Sequence, residues 1–230
     1  TDGLKLDARH STAFENIGVV SAAVFVNLDD DPLAELALAT EWGPIRIFKN
    51  SGGNFTDVTK AWGLDSQPGL WQTLAVGDFD NDGRFDLLAG NRGLNSHLKH
   101  GNKRSPYLVH GDIGRDGFYD ALEARFDVAS QRLLPRHQLV TLELLFPFLR
   151  ENFPTHRQYA AATIQQLFAG KLAGAGLLNA SHLASVVLLN RGAGFEARRL
   201  PVEAQLTPVS GAAVADFDGY GNDDAVLSQN

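Results

Sequence analysis

Four copies of an acidic turn between short apolar strands, a recurring Asn/Gly hairpin and a repeat step near fifty residues predict a mainly β chain. The expected architecture is a partial, open β-propeller of antiparallel blades with an inserted helical hairpin. The clearest copy covers residues 74–90, with Asp78, Asp80, Asp82, Gly83 and Asp86 in the turn. Residues 212–227 share its frame around Asp216, and residues 22–38 and 109–122 are worn versions around Asn27 and Asp112. A second motif, running from Ile47 and Phe48 through Lys49, Asn50, Gly52 and Gly53 to Phe55, is echoed by Leu188, Leu189, Asn190, Gly192, Gly194 and Phe195. Each reads as a strand, an Asn/Gly turn and an aromatic opening the return strand. Asn27 to Asp78 is 51 residues, a natural blade length, whereas the next steps are 34 and 104, and the last requires an insertion.

The insertion has helical periodicity. Across 138–153, Leu142, Leu145, Phe146, Leu149 and Phe153 recur at helical spacing, with Pro147 kinking or restarting the helix. A second helix follows, with Thr155 as N-cap and Gln158 completing a capping box. It runs through Ala160, Ile164 and Leu167 to stop near Gly170. Blades are thus expected over 1–136, the helical insertion over 137–180, and a further blade over 181–230.

Composition narrows the function. The 230 residues are 44% hydrophobic and 20% charged, enough apolar material for one core or a row of small ones. The net charge of −7 argues against a nucleic-acid binder and suits a protein that holds cations. No run approaches the ~20 apolar residues of a membrane-spanning helix. The absence of Cys excludes disulfides, thiolate zinc sites and cysteine nucleophiles. The chain also lacks Met and opens on Thr1, so a processed chain or a fragment is expected, and it ends just after a strand-like run.

The 78–86 turn carries the chemistry. Carboxylates stand at positions 1, 3, 5 and 9, with Gly at position 6. Alternate residues of a tight turn point inward, and two unit charges ~4 Å apart cost about 4 kcal/mol at an effective dielectric of ~20. No Lys or Arg within the motif is placed to neutralise them all. A hard divalent cation with loose oxygen coordination resolves the repulsion, which points to Ca2+ rather than Mg2+. The expected ligands are the side chains of Asp78, Asp80, Asp82 and Asp86 and the backbone carbonyl of Arg84. An EF-hand shares the opening D-x-D-x-D-G, but its position 12 is Ala89 here and both flanks are strands.

The D-x-D-x-D-G-x-x-D turn between strands, together with the N-x-G-x-G-F type hairpin, resembles the FG-GAP/VCBS repeat family. That family comprises bacterial exported propellers related to the calcium-loop blades of integrin α subunits. The stretch containing Trp62, Gly63, Leu64, Gly69, Leu70, Trp71 and the 77–83 turn resembles the ASPIC/UnbV-associated subset. Such proteins also carry insertions like the one ending in Pro201, Val202, Pro208 and Val209. The resemblance implies calcium-stabilised blades, an extracellular, periplasmic or cell-surface location, and a role in adhesion or ligand presentation. Against that pattern only the Asp78 turn is complete. The last turn has Tyr220 at position 5, leaving Asp216, Asp218, Asp224 and the Asn222 carbonyl. The third has Gly114 at position 3, leaving Asp112, Asp116, Asp120 and the Phe118 carbonyl. The first offers Asn27, Asp29, Asp31 and Glu35, with Pro32 where Gly is expected. A turn so depleted also holds its shape as an Asx-turn without metal.

Two function classes remain. One is a non-catalytic binding or scaffold module whose ligand is a protein or a glycan. The other is a propeller-based enzyme acting on polysaccharide, for which His97, His100 and His110 near Asp112 are the candidates, although no nucleophile or base pairing is recognisable. Trp42, Trp62 and Trp71 read as packing between blades, with a sugar-stacking platform as the alternative. Three blades and part of another form an open arc, whose edges call for the rest of the chain or a partner.

Overall fold

The computed structural model describes residues 7–29, 31–95 and 105–229. In chain order the strands are β1 (Val19–Val26), β2 (Glu35–Gly43), β3 (Arg46–Ser51), β4 (Asn54–Asp57), β5 (Gly69–Leu70), β6 (Thr73–Gly77), β7 (Asp86–Gly90), β8 (Pro106–Gly111), β9 (Asp120–Asp127), β10 (Arg132–Pro135), β11 (Gly176–Asn179), β12 (Val186–Asn190), β13 (Phe195–Arg199), β14 (Val209–Ala215) and β15 (Asp224–Gln229). The helices are α1 (Ala8–Ser11), α2 (Leu139–Leu142), α3 (Phe148–Asn152), α4 (His156–Ala161) and α5 (Ile164–Leu167). The fold is mainly β, its named strands pair antiparallel throughout, and its longer helical stretch is an insert. The chain divides into two compact units, residues 1–97 with 182–230, and residues 98–181.

The first unit holds three sheets. One has the order β1-β2-β3-β4, with β5 pairing the far end of β2. The second has the order β13-β12-β7-β6, so its two halves are separated in sequence by the whole of the other unit. The third is the pair β14-β15. The sheets meet through their first strands, with β6 beside both β1 and β14. Small residues permit that approach. A Cβ on Gly90 would stand 2.6 Å from the Val209 carbonyl oxygen, and one on Gly77 would stand 2.8 Å from Val214 Cγ1. Inward residues of the two larger sheets (among them Ala37, Ile47, Leu87 and Leu188) form one core around Trp71, which is 1% exposed. Removing that side chain from water stabilises the unit by about 5 kcal/mol, taking ~200 Å² at ~25 cal/mol/Å². Trp62 packs on Phe195 at 5.2 Å between ring centroids, so these two tryptophans serve packing.

The chain leaves β7 at Asn91 and returns at His182, and the two passages are bonded together. Gly93 N–H donates to Leu183 O at 2.8 Å, and Asn91 Nδ2 donates to His182 O at 3.0 Å. Asp78 and Asp216 lie 138 residues apart; subtracting the 84 residues of 98–181 leaves 54, the blade step again. The Asp112 turn, a further copy in sequence, belongs to the inserted unit.

That unit is the sheet β10-β9-β8-β11 with α2–α5 between β10 and β11. The expected pair of helices is four short ones. Pro147 ends the first stretch, because it has no N–H to continue the ladder. Leu142, Phe146 and Leu149 are buried, while Leu145 is 65% exposed and stands off the apolar stripe. The capping box at Thr155 and Gln158 is present, and a second box at Thr163 and Gln166 stops α4 and restarts the chain as α5. Phe146, Phe148 and Phe168 meet edge to face in the core at 5.0–6.1 Å.

Candidate metal-binding turns

Each acidic turn spans nine positions that join two paired strands, and one hydrogen bond recurs in all four. The carboxylate at position 9 accepts the backbone N–H of position 2. Glu35 Oε2 takes it from Leu28 at 2.9 Å, Asp86 Oδ2 from Phe79 at 2.9 Å, Asp120 Oδ2 from Ile113 at 2.9 Å, and Asp224 Oδ2 from Phe217 at 3.1 Å. Where position 1 is Asp, its carboxylate accepts the N–H of the glycine at position 6: Gly83 at 2.9 Å, Gly117 at 3.2 Å and Gly221 at 2.9 Å. These glycines have φ between +83° and +86°, a region that side chains disfavour. Pro32 cannot enter it, and the first turn closes differently, with Asn27 Nδ2 donating to Asp31 O at 2.5 Å. Arg84 and Phe118, at position 7, donate their amides to Asp82 and Asp116. Asn222 occupies the same position, and its Oδ1 accepts from Asn81 Nδ2.

Three of the four turns gather carboxylates. In the sets Asp29, Asp31 and Glu35; Asp78, Asp80 and Asp82; and Asp216, Asp218 and Asp224, one oxygen of each residue lies within 4.8 Å of one from the others. Asp86 stands outside the second set. Both its oxygens are engaged by amides, Phe79 N–H, half-buried, and, at 2.7 Å, the buried Asn190 N–H. Burial pushes its carboxyl pKa up, against the pull of those two amides, and the charges of Asp80 and Asp82 push the same way. Asp112, Asp116 and Asp120 form no such set, since Gly114 removes the carboxylate from position 3.

Cations reach two of the sets from a hairpin of the same sheet. Lys49 Nζ on β3 bonds Asp29, and Asp31 at 2.7 Å. These bonds, Asp29 first, raise the ammonium pKa well above its usual value, and Lys49 holds the Asp31 carboxyl low. Arg191, after β12, places Nη1 2.6 Å from Asp80 and 3.4 Å from Asp82 and is shared with Glu196 at 2.9 Å; Arg84 also pairs with Asp82. No ion pair among the described residues reaches Asp216, Asp218 or Asp224. The hairpins are fixed by their asparagines. Asn50 Nδ2 donates to Ala34 O at 3.1 Å, and Asn190 Nδ2 to Phe85 O at 3.2 Å, in both cases position 8 of the turn in the same sheet. Asn190 also donates to Leu28 O at 2.8 Å, tying the first turn to the second. Asp223 Oδ2 accepts Asp78 N–H at 2.8 Å, tying the second to the last.

Sequence reading missed Lys49, Arg191 and Asp223 as neighbours of the acidic turns. The usable signal was the basic residue adjoining the Asn of each Asn/Gly hairpin. His97 and His100 lie outside the described residues. His110 stacks on Tyr119 at 5.8 Å and meets its hydroxyl.

A known sequence family spans this construction, from position 1 of the first turn into β7. Residues 27–89 match the family model of the FG-GAP-like repeat. The match covers β2–β6 and ends in the strand that leaves the complete acidic turn, so it takes in one blade step together with the acidic turn at each end. No curated protein matches the chain. Among the described residues no helix is long and apolar enough to cross a membrane.

Proposed function

We propose that the protein is an exported, calcium-binding β-propeller repeat module that presents its surface to a protein or glycan ligand and performs no catalysis. The observation that carries the calcium reading is the convergence of Asp78, Asp80 and Asp82, all-oxygen donors on a turn shaped by its own amides. The donor set suits a hard divalent ion. Asp78, Asp80 and Asp82 would hold it, with the Arg84 carbonyl as the further expected ligand, and Asp216, Asp218 and Asp224 would hold a second; Asp86, expected as a ligand from the spacing, has both oxygens on amides and would brace the turn instead. The ion would supply positive charge where several carboxylates meet and so lock adjoining strands. Arg191 is exposed and divided among Asp80, Asp82 and Glu196, and an ion binding the aspartates would displace it toward Glu196. The outer edge of β15 has no neighbouring strand among the described residues, which supports the reading that further propeller strands pair there.

Calcium titration of Asp80→Ala against the parent, followed by calorimetry, tests the assignment. The parent should gain about 2.7 kcal/mol at calcium 100-fold above its Kd, and the variant should lose most of that gain. Equal binding and equal stability in both would remove the site.

A further inference from the structure

We infer that Lys49 is the resident cation of the first acidic turn, so that residues 27–35 hold their shape without a metal ion. Three observations converge. Lys49 Nζ bonds Asp29 and Asp31 together, the carboxylates at positions 3 and 5, which face the ion in a metal-holding turn. Position 1 is Asn27, whose amide donates inside the turn to Asp31 O, and position 6 is Pro32, which cannot take the positive φ of Gly83. Lys49 is held in register by pairing with Thr56 and by the neighbouring Asn50, which donates to Ala34 O. Against these stands Glu35, fully buried with Oε2 on Leu28 N–H and Oε1 without a partner among the described residues, since Lys49 bonds Asp29 and Asp31 and not Glu35. The ammonium arrives with the β3–β4 hairpin and is as permanent as the fold, a compact charge with three donors. This reading goes beyond calcium binding at 78–86 and does not depend on it.

Amide hydrogen exchange on the 230-residue chain tests it, read at Leu28, Asp31 and Leu33, whose N–H groups bond within the turn. In an Asp80→Ala, Asp218→Ala background, which removes the two proposed calcium sites, protection at these amides should be equal in calcium and in EDTA. Lys49→Met should exchange there at least about tenfold faster. Adding Asp29→Asn and Asp31→Asn to Lys49→Met should restore protection, because Asn keeps the accepting oxygen and removes the charge. Calcium-dependent protection in that background, an unchanged Lys49→Met, or failure of the neutral triple variant to recover would each overturn the inference. Should Lys49→Met not fold, folding of the triple variant decides in the same way. The amides of Asp82 and Gly83 report separately on the calcium reading.

Discussion

Asn190 shows how much one side chain can organise. It is 1% exposed, its Nδ2 bonds Leu28 O and Phe85 O, its Oδ1 accepts Gly192 N–H at 2.8 Å, and its own amide holds Asp86. The Asn-x-Gly spelling was readable as a turn because the Oδ1 bond is local. Its reach to Leu28, 162 residues away, was not, because nothing in a hairpin motif names a distant carbonyl. Tyr159 is a second single-residue case. Its hydroxyl donates to His137 O at 2.7 Å in the second unit's core, and burial raises its pKa to about 12. A raised folded pKa stabilises below the unfolded value of 10 and is lost as pH climbs through the folded value. Stability of the parent should therefore fall between pH 10 and 12, by about 2–3 kcal/mol from this group. Tyr159→Phe should flatten that fall in urea titrations across the window; an identical alkaline slope in both proteins would rule the phenol out as its source.

Among the elements, α4 and α5 separate what a motif states from what its surroundings select. The Thr155/Gln158 box was readable, since it follows Pro154 and precedes an apolar run. Thr163 and Gln166 spell the same box, yet the apolar spacing of Ala160, Ile164 and Leu167 argues for uninterrupted helix. The chain breaks because Thr163 takes the amide of Gln166 at 3.2 Å, and because Ala162 turns extended, letting Ile164, Leu167 and Phe168 all enter the core. Thr163→Ala should cost about 1 kcal/mol through the lost cap. Thermal unfolding of that variant beside Thr155→Ala checks the point: both boxes are intact, so comparable losses are expected. The acidic turns follow the same logic. Their shape comes from bonds spanning at most eight residues and was readable from the spacing, including in the Asp112 turn. Their charge balance was not, because Lys49 and Arg191 come from hairpins that dock on them only after the sheet forms.

For the whole molecule, the decisive pairing is β7 with β12, in which Leu88 lies opposite Val187 across the inserted unit. Replacing 98–181 by a short Gly/Ser linker should leave the remaining chain folded, since Gly93 already touches Leu183 and the blade it interrupts is complete without it. Retained far-UV β signal with a cooperative melt is the expected outcome; loss of cooperativity would show that the insert contributes to the blade core. The amino-acid sequence by itself determined the mainly β class, the repeat, the hairpins, the first capping box and the frame of every acidic turn, because each is built from contacts within about ten residues. Tertiary structure alone decided which strands complete the second sheet, which turns gather their carboxylates, and which cations meet them. Those outcomes depend on groups more than a hundred residues apart in sequence, or on separate strands, whose approach is set by core packing and long-range pairing rather than by local spelling.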